Sequence, residues 1–168
     1  FGDNFQDAIV NGDLNGVIAA LEAGANPNAR LGQAVNFGNV DIVKYLLDHG
    51  ASANHRDFEG NTPLTHFPGP VRNHKEIVQA LIDHGADVNL PSARGTPPIA
   101  FYNDEPEALE LLINAGANIA RDGGKALLAA SDLWYRENSV ESIRILLEAG
   151  ADPNYVGSYY MSSGGYNT

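Results

Sequence analysis

The chain has 168 residues, about one domain on the usual scale of ~100–200 residues. Its 10 Lys+Arg against 21 Asp+Glu leave a net charge of −11, which argues against nucleic acid and anionic membrane surfaces, since both need clustered cations. There is no cysteine for a disulfide, a thiolate nucleophile or a cysteine zinc site, and no run near the ~18 apolar residues of a membrane span.

In chain order, five segments repeat one pattern: Leu21–Asn28, Leu47–Asn54, Ile82–Asn89, Ile113–Ala120 and Leu147–Asn154. Their glycines, Gly24, Gly50, Gly85, Gly116 and Gly150, stand 26, 35, 31 and 34 residues apart. Before each glycine, apolar residues recur at helical spacing, as in Ile42/Val43/Leu46/Leu47 and Ile77/Val78/Leu81/Ile82. Asn73, Asp104 and Asn138 precede three of these helices, each with a glutamate three residues on (Glu76, Glu107, Glu141). That spacing predicts capping boxes. The glycine then ends the helix in the left-handed region. Helices of about three turns are unstable alone in water, so the copies are expected to stack. Upstream, Thr62-Pro63-Leu64 and Thr96-Pro97-Pro98 start a less regular helix, and polar stretches such as 55–60 suit a protruding turn.

These residues resemble ankyrin repeats, whose pattern is a Thr-Pro-Leu-His helix start and a Leu-Leu-x-x-Gly-Ala-Asx-x-Asn ending at a period of about 33. The resemblance implies an all-α solenoid of stacked helix-turn-helix units joined by β-turn fingers. It places repeats at about 3–29, 30–60, 61–95, 96–124 and 125–154, with 155–168 starting a further finger. Three departures stand out. Thr65 occupies the usual His position. Two prolines flank a glycine at 68–70, predicting a bulged loop. Only Ala29 and Arg30 separate Asn28 from Leu31, where nine residues separate Asn54 from Leu64. Two residues cannot form a finger. Either the finger is lost or residues are missing, and the expectation is the second, with an interruption near Ala29–Arg30. No initiator Met precedes Phe1, and Asn167-Thr168 resembles the start of another repeat, so a longer chain is expected.

The residues point to no catalysis. His49 and His84 precede closing glycines, where a donor suits the free carbonyls of a helix end, and no pair has metal-ligand spacing. Gly123-Gly124-Lys125 lacks the spacing of a phosphate loop. Asp104, Glu105, Glu107 and Glu110 are read as caps and solubilising groups, with an electrostatic docking patch as the alternative. No cofactor or metal is expected.

The resemblance implies a non-enzymatic module that binds a protein through its concave finger and first-helix surface. The alternatives are a targeting or regulatory segment of a larger enzyme or secreted effector, and a small inhibitor or immunity-type protein. The candidate contacts are Arg56, Phe58, Arg94, Tyr102, Trp134, Tyr135, Arg136, Tyr159 and Tyr160, chosen because Trp, Tyr and Arg dominate interface energetics. Net acidity predicts a partner with a basic face, and the protein is expected to be monomeric. A cytoplasmic location is expected from the lack of cysteine, with secretion into a host cell as the alternative. In the family some finger asparagines are hydroxylated. Asn54 and Asn89 match that position, and a structural role is the reading adopted for them.

Overall fold

A computed structural model describes residues 2–66, 73–132 and 138–157. The expected loop at 68–70 and five candidate contacts (Trp134, Tyr135, Arg136, Tyr159, Tyr160) lie outside these residues.

Eight helices are described: α1 Gly2–Asn11, α2 Leu14–Glu22, α3 Leu31–Asn36, α4 Val40–Asp48, α5 His74–Asp83, α6 Pro106–Asn114, α7 Ile119–Ser131 and α8 Ser139–Glu148. Three 3-10 turns, Pro27–Ala29, Pro63–Thr65 and Pro98–Ala100, complete the order. The apolar stripe is the buried one. Ile42, Val43, Leu46 and Leu47 of α4, Ile77, Val78 and Leu81 of α5, and Ala108, Leu109 and Leu112 of α6 form one continuous core. In the back layer α2, α4, α5, α6 and α8 pack in succession, and α2 and α8 pack more heavily on α1 and α7 of their own repeats. The front layer holds α1, α3, the proline turns and α7. The core is therefore a row of interfaces rather than a single centre.

Each repeat glycine closes its helix with a positive φ, +92° at Gly50 for example. A Cβ there would meet nothing within 4 Å, so the dihedral selects glycine and crowding does not. The next residue explains the Gly-Ala pair. Ala51 N–H donates to Leu46 O at 2.9 Å while its methyl is buried, satisfying one free carbonyl of α4.

Four expectations need correction. The capping boxes do not form: Asn73 precedes α5 without a side-chain cap bond, and its Nδ2 donates instead to Gly38 O of the preceding repeat at 3.2 Å. Asn39 does the same to Ile9 O at 2.7 Å. Asn138 likewise makes no side-chain cap bond, and α6 is preceded by Glu105, not Asp104. The first helix of the fourth repeat is a single 3-10 turn, Pro98–Ala100, and in the third repeat the turn Pro63–Thr65 is what the described residues show. The junction at Ala29–Arg30 is continuous. Asn26 caps the turn Pro27–Ala29 through Asn28 N–H, and Arg30 O accepts the Ala34 N–H of α3. Finally, α7 begins at Ile119, so it crosses the 124/125 repeat boundary and takes the space of the expected finger. Gly123 and Gly124 lie buried inside it. A Cβ on Gly124 would stand 2.5 Å from Tyr155 Cβ, so glycine permits α7 to approach the last repeat's turn.

The Thr65 departure resolves locally. Thr65 Oγ1 accepts the Thr62 N–H at 2.8 Å, and both threonines are buried, so the hydroxyl closes the helix start.

Candidate functional site

Two complete fingers are described, at 54–61 and 89–96. The first is locked from within. Asp57 N–H donates to Asn61 O at 3.0 Å and Gly60 N–H to Asp57 O at 2.9 Å. Asp57 Oδ1 also accepts the N–H groups of Glu59 and Asn61, each at 2.9 Å. Its Oδ2 lies 2.7 Å from His66 Nε2. Burial works to raise the Asp57 carboxyl, but the Asn61 amide and the His66 ring outweigh it and hold it below its ordinary value. The second finger closes through Ser92 N–H to Thr96 O and Gly95 N–H to Ser92 O, both at 2.9 Å.

The fingers are joined side by side. The Arg56 guanidinium donates to Gly60 O in its own finger and to Pro91 O in the next, the latter at 2.9 Å. Gly60 lies so close to Ala93 that a Cβ would come within 2.8 Å of the alanine methyl.

At the finger bases one bond pattern recurs. Asn54 Oδ1 accepts the Asp87 N–H at 2.7 Å while Nδ2 donates to Gly85 O at 2.8 Å. Asn89 does the same to Asn118 N–H and Gly116 O, at 2.8 and 3.0 Å. Asn28 Oδ1 accepts the Ser52 N–H at 2.8 Å. These asparagines carry the structural role expected of them.

On this frame Phe58 stands 97% exposed. Arg94 is exposed too, with no hydrogen bond or ion pair among the described residues. Arg56 is exposed but held by carbonyls. Tyr102 is a correction. It is 1% exposed, packed edge-on to His74 with ring centroids 6.2 Å apart, and burial pushes its phenol well above the usual range. A side chain so enclosed offers no surface to a partner.

The acidic run is tied into the back helices: His74 Nδ1 meets Glu105 Oε1 at 3.0 Å and Lys75 Nζ meets Glu107 Oε1 at 2.8 Å, both across the α5–α6 junction. Arg144 pairs with Glu141 and Glu148 along α8. Arg30, Arg56, Arg94, Lys125 and, on α4, Lys44 pair with no carboxylate among the described residues.

The histidines serve helix ends and repeat contacts. The Nδ1 groups of His49 and His84 donate to Tyr45 O and Ala80 O, both at 2.8 Å. His84 Nε2 also reaches Asp48 Oδ1 at 3.0 Å, and the Ala80 carbonyl, then Asp48, raise its pKa. Among the described residues no group of three His, Cys, Asp or Glu could hold a metal, and no helix is long and apolar enough to cross a membrane.

Sequence reasoning missed a cavity of about 640 Å³ at the short first junction. It lies between 28–36 and the 55–61 finger, with Gln6, Pro63 and His66 at its edges. The two-residue spacing was its signal.

A family model for ankyrin repeats, in three copies, matches residues 5–92 and 71–156. An ankyrin repeat protein of fowlpox virus is 46% identical over 61 residues, 32% of each chain. An ankyrin repeat-containing protein of Schizosaccharomyces pombe is 34% identical over 68 residues, 36% of this chain and 33% of its own. Dynein axonemal heavy chain 12 of Bos taurus is 42% identical over 69 residues, 39% of this chain and 18% of its own. The matches thus span about a third or less of each relative's length. With the glycine-closed helices and stacked layers already described, the matched residues cover most of the sequence, and the chain belongs to the ankyrin repeat family.

Proposed function

We propose that this chain is a non-enzymatic module that holds a protein partner on its finger and first-helix face. Ankyrin repeats generally serve protein–protein interaction, and the stacked frame supports that use by presenting side chains at little ordering cost. The observation that carries the reading is Phe58. A fully exposed phenylalanine on a finger braced by Asp57, Arg56 and Gly60 has no role in the core. Arg56 and Arg94 flank it in the proposal, and Trp134, Tyr135, Arg136, Tyr159 and Tyr160 remain part of it. A basic face on the partner would suit the net acidity of the chain.

The test is affinity capture with wild type, Phe58→Ala, Arg94→Ala and Trp134→Ala, each checked for folding by circular dichroism. A wild-type partner should be lost from at least one variant. An unchanged partner set in all three would discard this face as the binding surface.

A further inference from the structure

We infer that the cavity at the first junction is a docking site for a polypeptide segment of a partner, which takes the place of the finger this junction lacks. The inference rests on the interaction reading and narrows it to one location.

The neighbouring junction shows what such a space accepts. On its far side, the 54–61 finger is covered by the finger at 89–96, through Gly60 against Ala93 and Arg56 to Pro91 O. On its near side, two residues stand where that covering chain would be, and the cavity remains. The other junction without a finger is filled differently. There α7 starts directly after Asn118, and Arg121 and Lys125 reach Asn89 O and Gly95 O, at 3.3 and 3.5 Å. The six-residue α3 leaves its junction open.

Register identifies the first contact. Arg30 follows Asn28 by two residues, as Arg56 follows Asn54. Arg56 spends its guanidinium on two main-chain carbonyls, whereas the Arg30 side chain has no hydrogen bond or ion pair among the described residues. Its repeat has no finger carbonyl to offer. Three residues on, Gln33 Oε1 is buried without a hydrogen-bond partner. The Arg30 guanidinium is the donor set left unused at the cavity, while Gln33 Oε1 has no exposed surface there; the counterpart Arg56 shows what satisfies such a guanidinium, the C=O groups of a neighbouring segment. The volume falls in the range of built binding clefts. Phe58 lines the opening and supplies apolar contact for a side chain of the incoming segment. The carboxylates at the site are already engaged: Asp57 by His66 and two amides, and Glu59 by the Asn61 side chain at 3.4 Å.

The experiment pans a linear peptide library, displayed on phage, against the full chain and measures recovered peptides by fluorescence anisotropy. The variants are Arg30→Ala, Arg94→Ala on the finger face, Lys44→Ala on the exposed side of α4 as the control, and a chain with seven finger residues inserted between Ala29 and Arg30 to match the longer spacing at Asn54–Leu64. Recovered peptides should bind at least about tenfold more weakly to Arg30→Ala, lose binding to the insertion chain, and bind Lys44→Ala as they bind wild type. Failure to recover any peptide, or full affinity for the insertion chain, overturns the site. Should the insertion chain not fold, Arg30→Ala decides, and unchanged affinity there overturns the site as well. Peptides that bind the insertion chain but lose Arg94→Ala would reject this cavity and leave the finger-face reading standing.

Discussion

Asn54 and Asp87, 33 residues apart, are joined through the asparagine side chain: Oδ1 accepts the Asp87 N–H at 2.7 Å, and the same amide's Nδ2 donates to Gly85 O at 2.8 Å. One amide thus fixes the start of the next finger relative to its own. Asn54→Ala removes both bonds and is expected to cost about 1–2 kcal/mol, read from the urea midpoint. A loss below about 0.3 kcal/mol would show that water replaces the amide without penalty.

Gly124→Ala separates helix propensity from packing. Propensity alone favours alanine by about 1 kcal/mol. In α7, however, the new Cβ would stand 2.5 Å from both Cβ and Cγ of Tyr155. The expected net effect is a loss of about 1–2 kcal/mol in chemical denaturation. Made in a Tyr155→Gly background, which removes both of those atoms, the same substitution should become neutral or stabilising. Stabilisation in the wild-type background would contradict the packing described.

For Tyr102→Phe the expectation is unchanged stability or a gain of about 1 kcal/mol, because the phenol oxygen is buried without a hydrogen-bond partner. A clear drop in the urea midpoint would mean that the hydroxyl is satisfied in solution. Tyr102→Ala, by contrast, should cost about 3–5 kcal/mol by opening a cavity.

His84 sets a pH dependence. Its pKa is raised in the folded chain by the Ala80 carbonyl and by Asp48, so folding favours the protonated ring. That contribution is complete below the unfolded value of about 6.5 and fades as pH rises through the folded value. The gap in urea midpoint between wild type and His84→Gln should therefore be wider at about pH 5.5 than at about pH 8.5. A gap that is constant or widens with pH would remove the Asp48 link from the account.

The helices, their buried stripes and their glycine ends were legible in the sequence because each depends on residues within about five positions of one another. Ile42, Leu46 and Gly50 specify one turn after the next without reference to another repeat. Hydrogen-bond partners were less legible. Asn73 and Glu76 have local capping spacing, yet Asn73 bonds Gly38 O, an acceptor brought near only by stacking. Exposure of aromatics failed for the same reason: Tyr102 and Phe58 look alike as candidates, but one lies between packed repeats and the other on a finger tip.

By itself, then, the order of residues determined the repeating unit and the direction of its apolar side, since both follow from near-neighbour sterics and helical periodicity. Only the tertiary structure decided how a missing finger is resolved: filled by α7 at one junction, left as a cavity beside Arg30 at the other. The physical reason is that a space between repeats belongs to no single segment, and its size is set by how far the elements on both sides reach.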